Sequence, residues 1–316
     1  MRKIASVAAI LVLVALLMSL IGCAPAGPAE EKPIVIGYVG NVASPGTKPC
    51  MDMQKLAVEE INAAGGILGR PVEYVVEDGK GETALSVEAA TRMVMDHGAM
   101  LYCVEGRSEI NHACIEASAR LQADYPHIYI DDGAMDEAIT DVCIDKGYEW
   151  VFRNWDPEVC HYCWIGENFK LWRDVIGAKK IALLWEDLAW TTLWREGDPA
   201  RNLPTWADLA EDYGLEVVYD KPLRARYGMY LPIFEECARA GAEVIFYCSS
   251  WFTDTEVFAK QWAESAAKDI PIAMYGGINQ ATDVFWGLTG GSALGSLGVV
   301  GDYEYPFTTV TVPMIE

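Results

Sequence analysis

Histidine is scarce. The chain has four, His97, His112, His127 and His161, and neither a G-x-S-x-G nucleophile turn nor an H-E-x-x-H zinc helix accompanies them. That leaves acyl transfer and metal-assisted hydrolysis without the side chains they need. Basic residues are few as well: 24 Lys and Arg stand against 46 Asp and Glu, a formal net charge of −22. With no Lys/Arg cluster interleaved with aromatics, neither nucleic acid nor an anionic lipid surface is expected as a partner. The glycine-rich stretch Gly290 to Ser296 has no lysine of a phosphate loop and reads as a turn region. No cofactor is implied.

A strong signal stands at the start. Arg2 and Lys3 precede eighteen almost wholly apolar residues, Ile4 to Ile21, which close in Leu20-Ile21-Gly22-Cys23. Positive charge stays on the cytoplasmic side while the apolar stretch inserts, and small residues mark a cleavage point. The run resembles a lipobox, which would make Cys23 the acylated first residue of the mature protein. Residues 1–23 are therefore expected to be a lipoprotein signal peptide and 24–33 a flexible tether poor in large apolar residues. The alternative is a permanent single-span anchor, since the stretch is just long enough to cross a bilayer. Either way the folded part lies outside the cytoplasm, held to a membrane.

Nine cysteines follow from the sequence, eight without Cys23: Cys50, Cys103, Cys114, Cys143, Cys160, Cys163, Cys237 and Cys248. An even number in an oxidising-permissive compartment allows disulfides without assigning them. Cys103 and Cys248 sit in strand-like runs and read as buried thiols. Cys160 and Cys163, three apart on a helical face, suit a disulfide or two free thiols better than a metal, whose other ligands are not in view.

Apolar, β-rich runs recur at Ile34 to Val39, Val72 to Glu77, Ala99 to Val104, His127 to Ile130, Lys180 to Trp185, Leu215 to Tyr219, Glu243 to Tyr247 and Pro271 to Tyr275. Helical periods fall between them. Met53, Leu56, Ala57, Ile61 and Ala64 mark one apolar face ahead of the Gly65-Gly66 stop, and Ala84, Val87, Ala90, Val94 and Met95 mark another ahead of Gly98. Strands with little polar alternation, separated by amphipathic helices, predict parallel sheets covered on both faces. The expected fold class is α/β, with two doubly wound parallel-sheet lobes joined by a hinge near Tyr148 to Asn154. The lobes are expected over residues 34–150 and 151–300, with 301–316 returning to the first. Ligands of such sheets sit beyond the carboxyl ends of the strands.

The segment Leu56 to Asp78, LAVEEINAAGGILGRPVEYVVED, resembles the branched-chain amino-acid type of periplasmic solute-binding protein, the class I binding-protein fold of ABC uptake systems. The likeness continues through Arg107-Ser108-Glu109, Ile130 to Asp136, Val151-Phe152-Arg153, Ile181 to Trp190, Val244 to Trp251 and Met274 to Asn279. Members of that family continue well past the point matched by Tyr303 to Glu316. The resemblance thus implies a truncated chain, with a flank of the first lobe exposed.

By the same resemblance, Ser108 matches the hydroxyl that holds a ligand carboxylate. Arg107 beside it offers a bidentate contact, or else is a solvated residue between Glu105 and Glu109. Gly133, Ala134 and Met135 match a second first-lobe contact, although Met135 lacks the hydroxyl usual there. Trp190 and Trp251 fall where the family places aromatics that close over the ligand; the alternative is core packing. The family's ammonium-binding Glu is replaced by Gly277. An amino-acid ligand would then need another carboxylate, Glu186 or Asp187; otherwise the ligand is an amide or small organic acid, with Asn279 hydrogen bonding to it.

The leading expectation is a lipid-anchored receptor, not an enzyme, that captures a small polar solute and presents it to an ABC transporter permease. A sensor domain of the same fold is the alternative. An extracytoplasmic enzyme using Cys160 or Cys163 is a third reading, and it lacks a catalytic constellation.

Overall fold

The computed structural model describes residues 32–44, 46–155, 158–275, 285–293 and 297–298. The expected signal peptide with Cys23, most of the tether, the return segment, Gly277 and Asn279 lie outside the described residues.

Ten strands and their intervening helices alternate through the described residues. The first unit runs β1 (Ile34–Gly40), α1 (Thr47–Ala63), β2 (Val72–Asp78), α2 (Thr83–Met95), β3 (Leu101–Val104), α3 (Ser108–Leu121), β4 (Ile128–Asp131), α4 (Ala138–Lys146) and β5 (Val151–Arg153). After a 3-10 turn at Glu158–Cys160 come α5 (His161–Leu171), β6 (Lys180–Glu186), a 3-10 turn at Ala189–Thr191, α6 (Thr192–Glu196) and α7 (Trp206–Asp212). The second unit continues through β7 (Glu216–Leu223), α8 (Leu231–Ala240), β8 (Val244–Cys248), α9 (Thr255–Glu264), β9 (Ile272–Tyr275), α10 (Phe285–Thr289) and a short β10 (Leu297–Gly298).

Two five-stranded sheets result, ordered β2-β1-β3-β4-β5 and β10-β9-β8-β6-β7, and every pairing in both is parallel. Reversed, the second order repeats the first, so each lobe changes winding direction beside its own first strand, β1 or β6. All eight runs expected as strands are strands, and the two-lobed α/β class is borne out. The run at Val151 to Arg153 was expected as connection and instead forms the edge of the first sheet. Pro222 is tolerated in β7 because that strand is the other sheet's edge, where a missing N–H costs no interior ladder bond.

The second sheet is covered on both faces. One core holds Phe169, Trp172, Leu183, Trp185, Trp194, Trp206 and Phe246; the other holds Leu184, Tyr230, Phe234, Tyr247, Phe258 and Trp262. The first sheet's core, with Val39, Met93, Tyr102, Val104, Ile110 and Tyr129, lies under α2 and α3. Across from it the expected apolar face of α1 is not buried: Met53 is 52% and Leu56 56% exposed. Polar ties to the edge strand fix the helix in another rotation. Asn62 both accepts from the Val72 N–H at 2.7 Å and donates to the Val72 carbonyl at 2.8 Å, while Tyr74 donates to Gln54 at 3.1 Å. Only Thr47 and Val58 of α1 are buried.

Candidate ligand cleft between the lobes

The loops after β1, β2 and β3 of one lobe and after β7 and β8 of the other converge on one cavity of about 190 Å³. Its walls include Asn41, Lys80, Gly81, Glu105 and Arg107 from the first lobe, and Arg226, Trp251 and Phe252 from the second. These are the carboxyl ends of the strands flanking β1 and β6, where the winding of each sheet reverses and neighbouring loops must part. At that volume the cavity is smaller than the roughly 300 Å³ lower bound of drug-sized sites, which suits a small solute.

Arg107 stands at the head of α3 with an extended backbone, and its guanidinium lies 4.7 Å from the ring centre of Phe252 on the opposite lobe. It donates to the Gly81 carbonyl, which leaves its buried Nε without a protein partner. Arg226 reaches the same ring from its own lobe, 5.8 Å from the centroid, and donates to the Phe252 carbonyl at 3.0 Å. Its φ of 51° is a left-handed conformation that costs a side-chain-bearing residue about 1–2 kcal/mol. Trp251 meets Phe252 edge to face, with centroids 5.4 Å apart.

Glu105 follows directly on β3 and is only 1% exposed. Its Oε2 accepts from the Asn41 N–H at 2.8 Å, and its carbonyl accepts from Asn111 at 2.7 Å. Oε1 is buried and accepts from no protein group. Burial pushes this carboxyl above its ordinary range, against the Asn41 bond and the nearby Arg107 charge. Space for Glu105 comes from Gly40: a Cβ there would stand 3.2 Å from the Glu105 Cβ and 2.7 Å from the Tyr38 ring.

Of the residues singled out in the sequence, Arg107 and Trp251 therefore share the cavity wall. Ser108 is adjacent but buried, its hydroxyl accepting from the Asp136 N–H at 3.3 Å. Gly133 has a φ of 149° that favours glycine, and the loop it belongs to passes so near that a Cβ on Gly106 would sit 2.8 Å from the Gly133 carbonyl carbon. Ala134 donates to Asp131 at 2.7 Å, and Met135 enters the second lobe's aromatic core, where its sulfur accepts from the Tyr275 hydroxyl at 3.8 Å.

Glu186 is fully buried behind the cleft. Its carboxylate accepts from the Ser250 N–H at 2.8 Å and from the Thr253 hydroxyl, so both oxygens are committed to holding the loop after β8. Asp187 pairs with Arg195 at 3.0 Å. Trp190 is 8% exposed; it donates to Ser250 at 3.0 Å and packs edge-on against Trp194 within the core, outside the cavity wall. The eight cysteines of the described residues are thiols, with Cys160 and Cys163 exposed and Cys103, Cys114, Cys237 and Cys248 buried.

Sequence reasoning missed Glu105, Arg226 and Phe252. Glu105 carried one usable signal, an acid placed immediately after the apolar run that ends in Val104, where a strand's carboxyl end opens on the cleft. Nothing local marked Arg226 or Phe252, because they reach the site by the meeting of two lobes.

The lobes also touch away from the cavity. Glu109 of α3 accepts from the Ala189 N–H at 3.2 Å, and Glu158, on the connection, accepts from Glu137 N–H of the first lobe at 2.8 Å and from Leu193 N–H of the second at 3.0 Å. A two-lobed α/β fold is what solved proteins share with this chain. It resembles LivJ, a branched-chain amino acid transporter substrate binding protein from Streptococcus pneumoniae solved with isoleucine (21% identity, 82% of this chain and 68% of that one, TM-score 0.61). It also resembles an ABC transporter solute binding protein from R. palustris solved with 4-hydroxybenzoate (17% identity, 77% and 62%, TM-score 0.59). A periplasmic binding protein type 1 from Bordetella pertussis Tohama I is similar too (18% identity, 90% and 72%, TM-score 0.67). At these identities the likeness is one of fold, and the chain spans 62% to 72% of the lengths of these three proteins. No curated protein matches the sequence. A family model described as periplasmic binding protein matches residues 33–310, and to that family the chain belongs.

Proposed function

We propose that this protein is an extracytoplasmic solute receptor, lipid-anchored through Cys23, that captures a small carboxylate-bearing molecule between its lobes and delivers it to the permease of an ABC transporter. The observation that carries this reading is the cavity itself, walled by loops of both lobes and presenting three cations, Lys80, Arg107 and Arg226, against two acids, Glu82 and Glu105, in an otherwise strongly acidic chain. Cations concentrated there oppose the net charge of the molecule and favour an anionic group on the guest. A ligand touching both walls stabilises the apposed state by the difference between its contacts in the closed and open forms. Delivery to a permease is supported by the likeness in fold to substrate-binding and solute-binding proteins of transporters.

A thermal-shift screen of the purified chain against amino acids, amides and aromatic or aliphatic acids tests the reading. A guest at a hundred times its Kd raises stability by about 2.7 kcal/mol. A carboxylate-bearing hit whose shift is lost in Arg107→Met supports the proposal, and a screen in which no small acid, amide or amino acid moves the melting temperature overturns it.

A further inference from the structure

We infer that Cys160 and Cys163 form a thiol–disulfide exchange site on the second lobe, a pair that passes two electrons to a disulfide of low molecular weight and takes them back from the corresponding thiol. This chemistry is independent of what the cleft binds.

Of the eight cysteines among the described residues, these two alone are exposed; Cys103, Cys114, Cys237 and Cys248 are buried, and Cys50 and Cys143 half-buried. Cys160 closes the 3-10 turn Glu158–Cys160, and Cys163 stands in the first turn of α5. The backbone angles at Cys160, φ −66° and ψ −22°, are those of a 3-10 turn, in which side chains three residues apart eclipse. Residues three apart on an α-helix have Cβ atoms about 5–6 Å from each other, against roughly 3.5–4.5 Å in a disulfide, and a tightened turn narrows that gap.

The neighbouring side chains hold this turn from within. His161 is buried against Trp194, with ring centroids 5.4 Å apart, and its Nδ1 lies 3.2 Å from the Tyr275 hydroxyl. The Tyr162 hydroxyl donates to the Pro204 carbonyl at 2.8 Å, and Ile165 is fully buried in the same core. Ahead of the turn, Glu158 accepts from backbone N–H groups of both lobes. Two thiols on the outer side of a segment pinned in this way stay close, so each meets the other at an effective concentration on the order of millimolar or above. Exposure supplies the second requirement, access to a reactant.

The exchange runs in two displacements. The thiolate of one cysteine attacks a sulfur of the small disulfide, forming a mixed disulfide and releasing one small thiolate. The other cysteine's thiolate then attacks the first cysteine's sulfur, closes the Cys160–Cys163 bond and releases the second small thiolate. Two electrons leave the pair and reduce the small disulfide to two thiols, which take up the two protons lost by the cysteines. Excess small thiol reverses both steps.

The test equilibrates reduced wild-type protein, Cys160→Ser and Cys163→Ser with oxidised glutathione, quenches with acid, alkylates the remaining thiols and maps the peptides by mass spectrometry. In wild type the Cys160–Cys163 bond forms and reopens with dithiothreitol under native conditions. Glutathione adducts at these two positions stay on the order of tenfold or more below those in the serine variants, where no second thiol resolves them. Wild-type adducts as abundant as those of the variants overturn the inference, because the two thiols are then reacting separately. Two unmodified thiols in wild type overturn it as well, and so does a bond that dithiothreitol cannot reopen in the folded protein.

Discussion

The guanidinium of Arg107 lies 4.7 Å above the ring of Phe252, a contact that joins the first lobe's cleft wall to the second. Arg226 approaches the same ring at 5.8 Å, so one aromatic face system positions cations from both sides of the seam. A cation over an aromatic is worth about 0.5–2 kcal/mol, depending on how dry it is. Phe252→Ala is therefore expected to weaken binding of a carboxylate-bearing guest by roughly 2- to 30-fold, while Phe252→Trp preserves it. Titration calorimetry with a hit from the solute screen checks the pair.

Glu158 makes stability depend on pH. Burial raises its carboxyl from an ordinary 4.5 to about 8, outweighing the two N–H groups that favour the charged form. Below pH 4.5 the group is neutral in folded and unfolded chains alike and costs nothing. Between 4.5 and 8 the unfolded chain releases the proton that the folded one retains, so stability falls as pH rises, and above 8 the loss is complete. Relative to Glu158→Gln, the wild-type unfolding free energy should decline through that window, by an amount on the order of a few kcal/mol, and its melting temperature with it. A difference between the two that stays flat with pH contradicts this account.

Trp194 anchors the aromatic core behind the cleft. It stacks on Trp206 with centroids 4.1 Å apart and rings 16° from parallel, and its indole N–H donates to the Glu158 carbonyl at 2.9 Å. Trp194→Ala should destabilise the protein by about 3–5 kcal/mol, the usual cost of removing a buried indole. Trp194→Phe should cost less, chiefly the hydrogen bond at about 1 kcal/mol. Urea unfolding followed by circular dichroism separates the two values.

Cysteine reactivity should divide by location. Cys160 and Cys163 are exposed, whereas Cys103, Cys114, Cys237 and Cys248 are buried, and burial pushes the thiols of Cys103, Cys114 and Cys237 up to about 12. The thiolate is the reacting form, so a maleimide should modify Cys160 and Cys163 in the native protein and reach the four buried thiols only after denaturation. Peptide mapping after brief labelling reads this out directly.

Strand and helix order were legible because parallel strands buried on both faces leave near-continuous apolar runs, and Lys180 to Trp185 or Glu243 to Tyr247 cannot easily be anything else. The rotation of α1 was not legible. Its apolar stripe through Met53 and Leu56 predicted a buried face, but the Asn62 and Gln54 ties to β2 decide which side meets the sheet. The cleft was half legible. Arg107 and Trp251 were within reach because they follow strand ends, whereas Glu105 resembled a surface acid beside another acid and a base. Its burial depends on Asn41, Gly40 and Tyr38, residues more than sixty positions earlier that only the β1 to β3 pairing brings alongside. Trp190 and Glu186 show the converse: aromatic or acidic character in the right loop is equally what a well-packed interior requires.

Met135 leaves its own lobe to lodge among Phe169, Trp172, Trp190 and Trp194 of the other. A side chain seated in this way works as a pin in a bearing, and sliding one half past the other would mean pulling it out. The permitted movement is then a swing about that pin. In a swing, the points farthest from the pivot travel the longest arc, so the mouth of the jaws can gape while their root scarcely shifts.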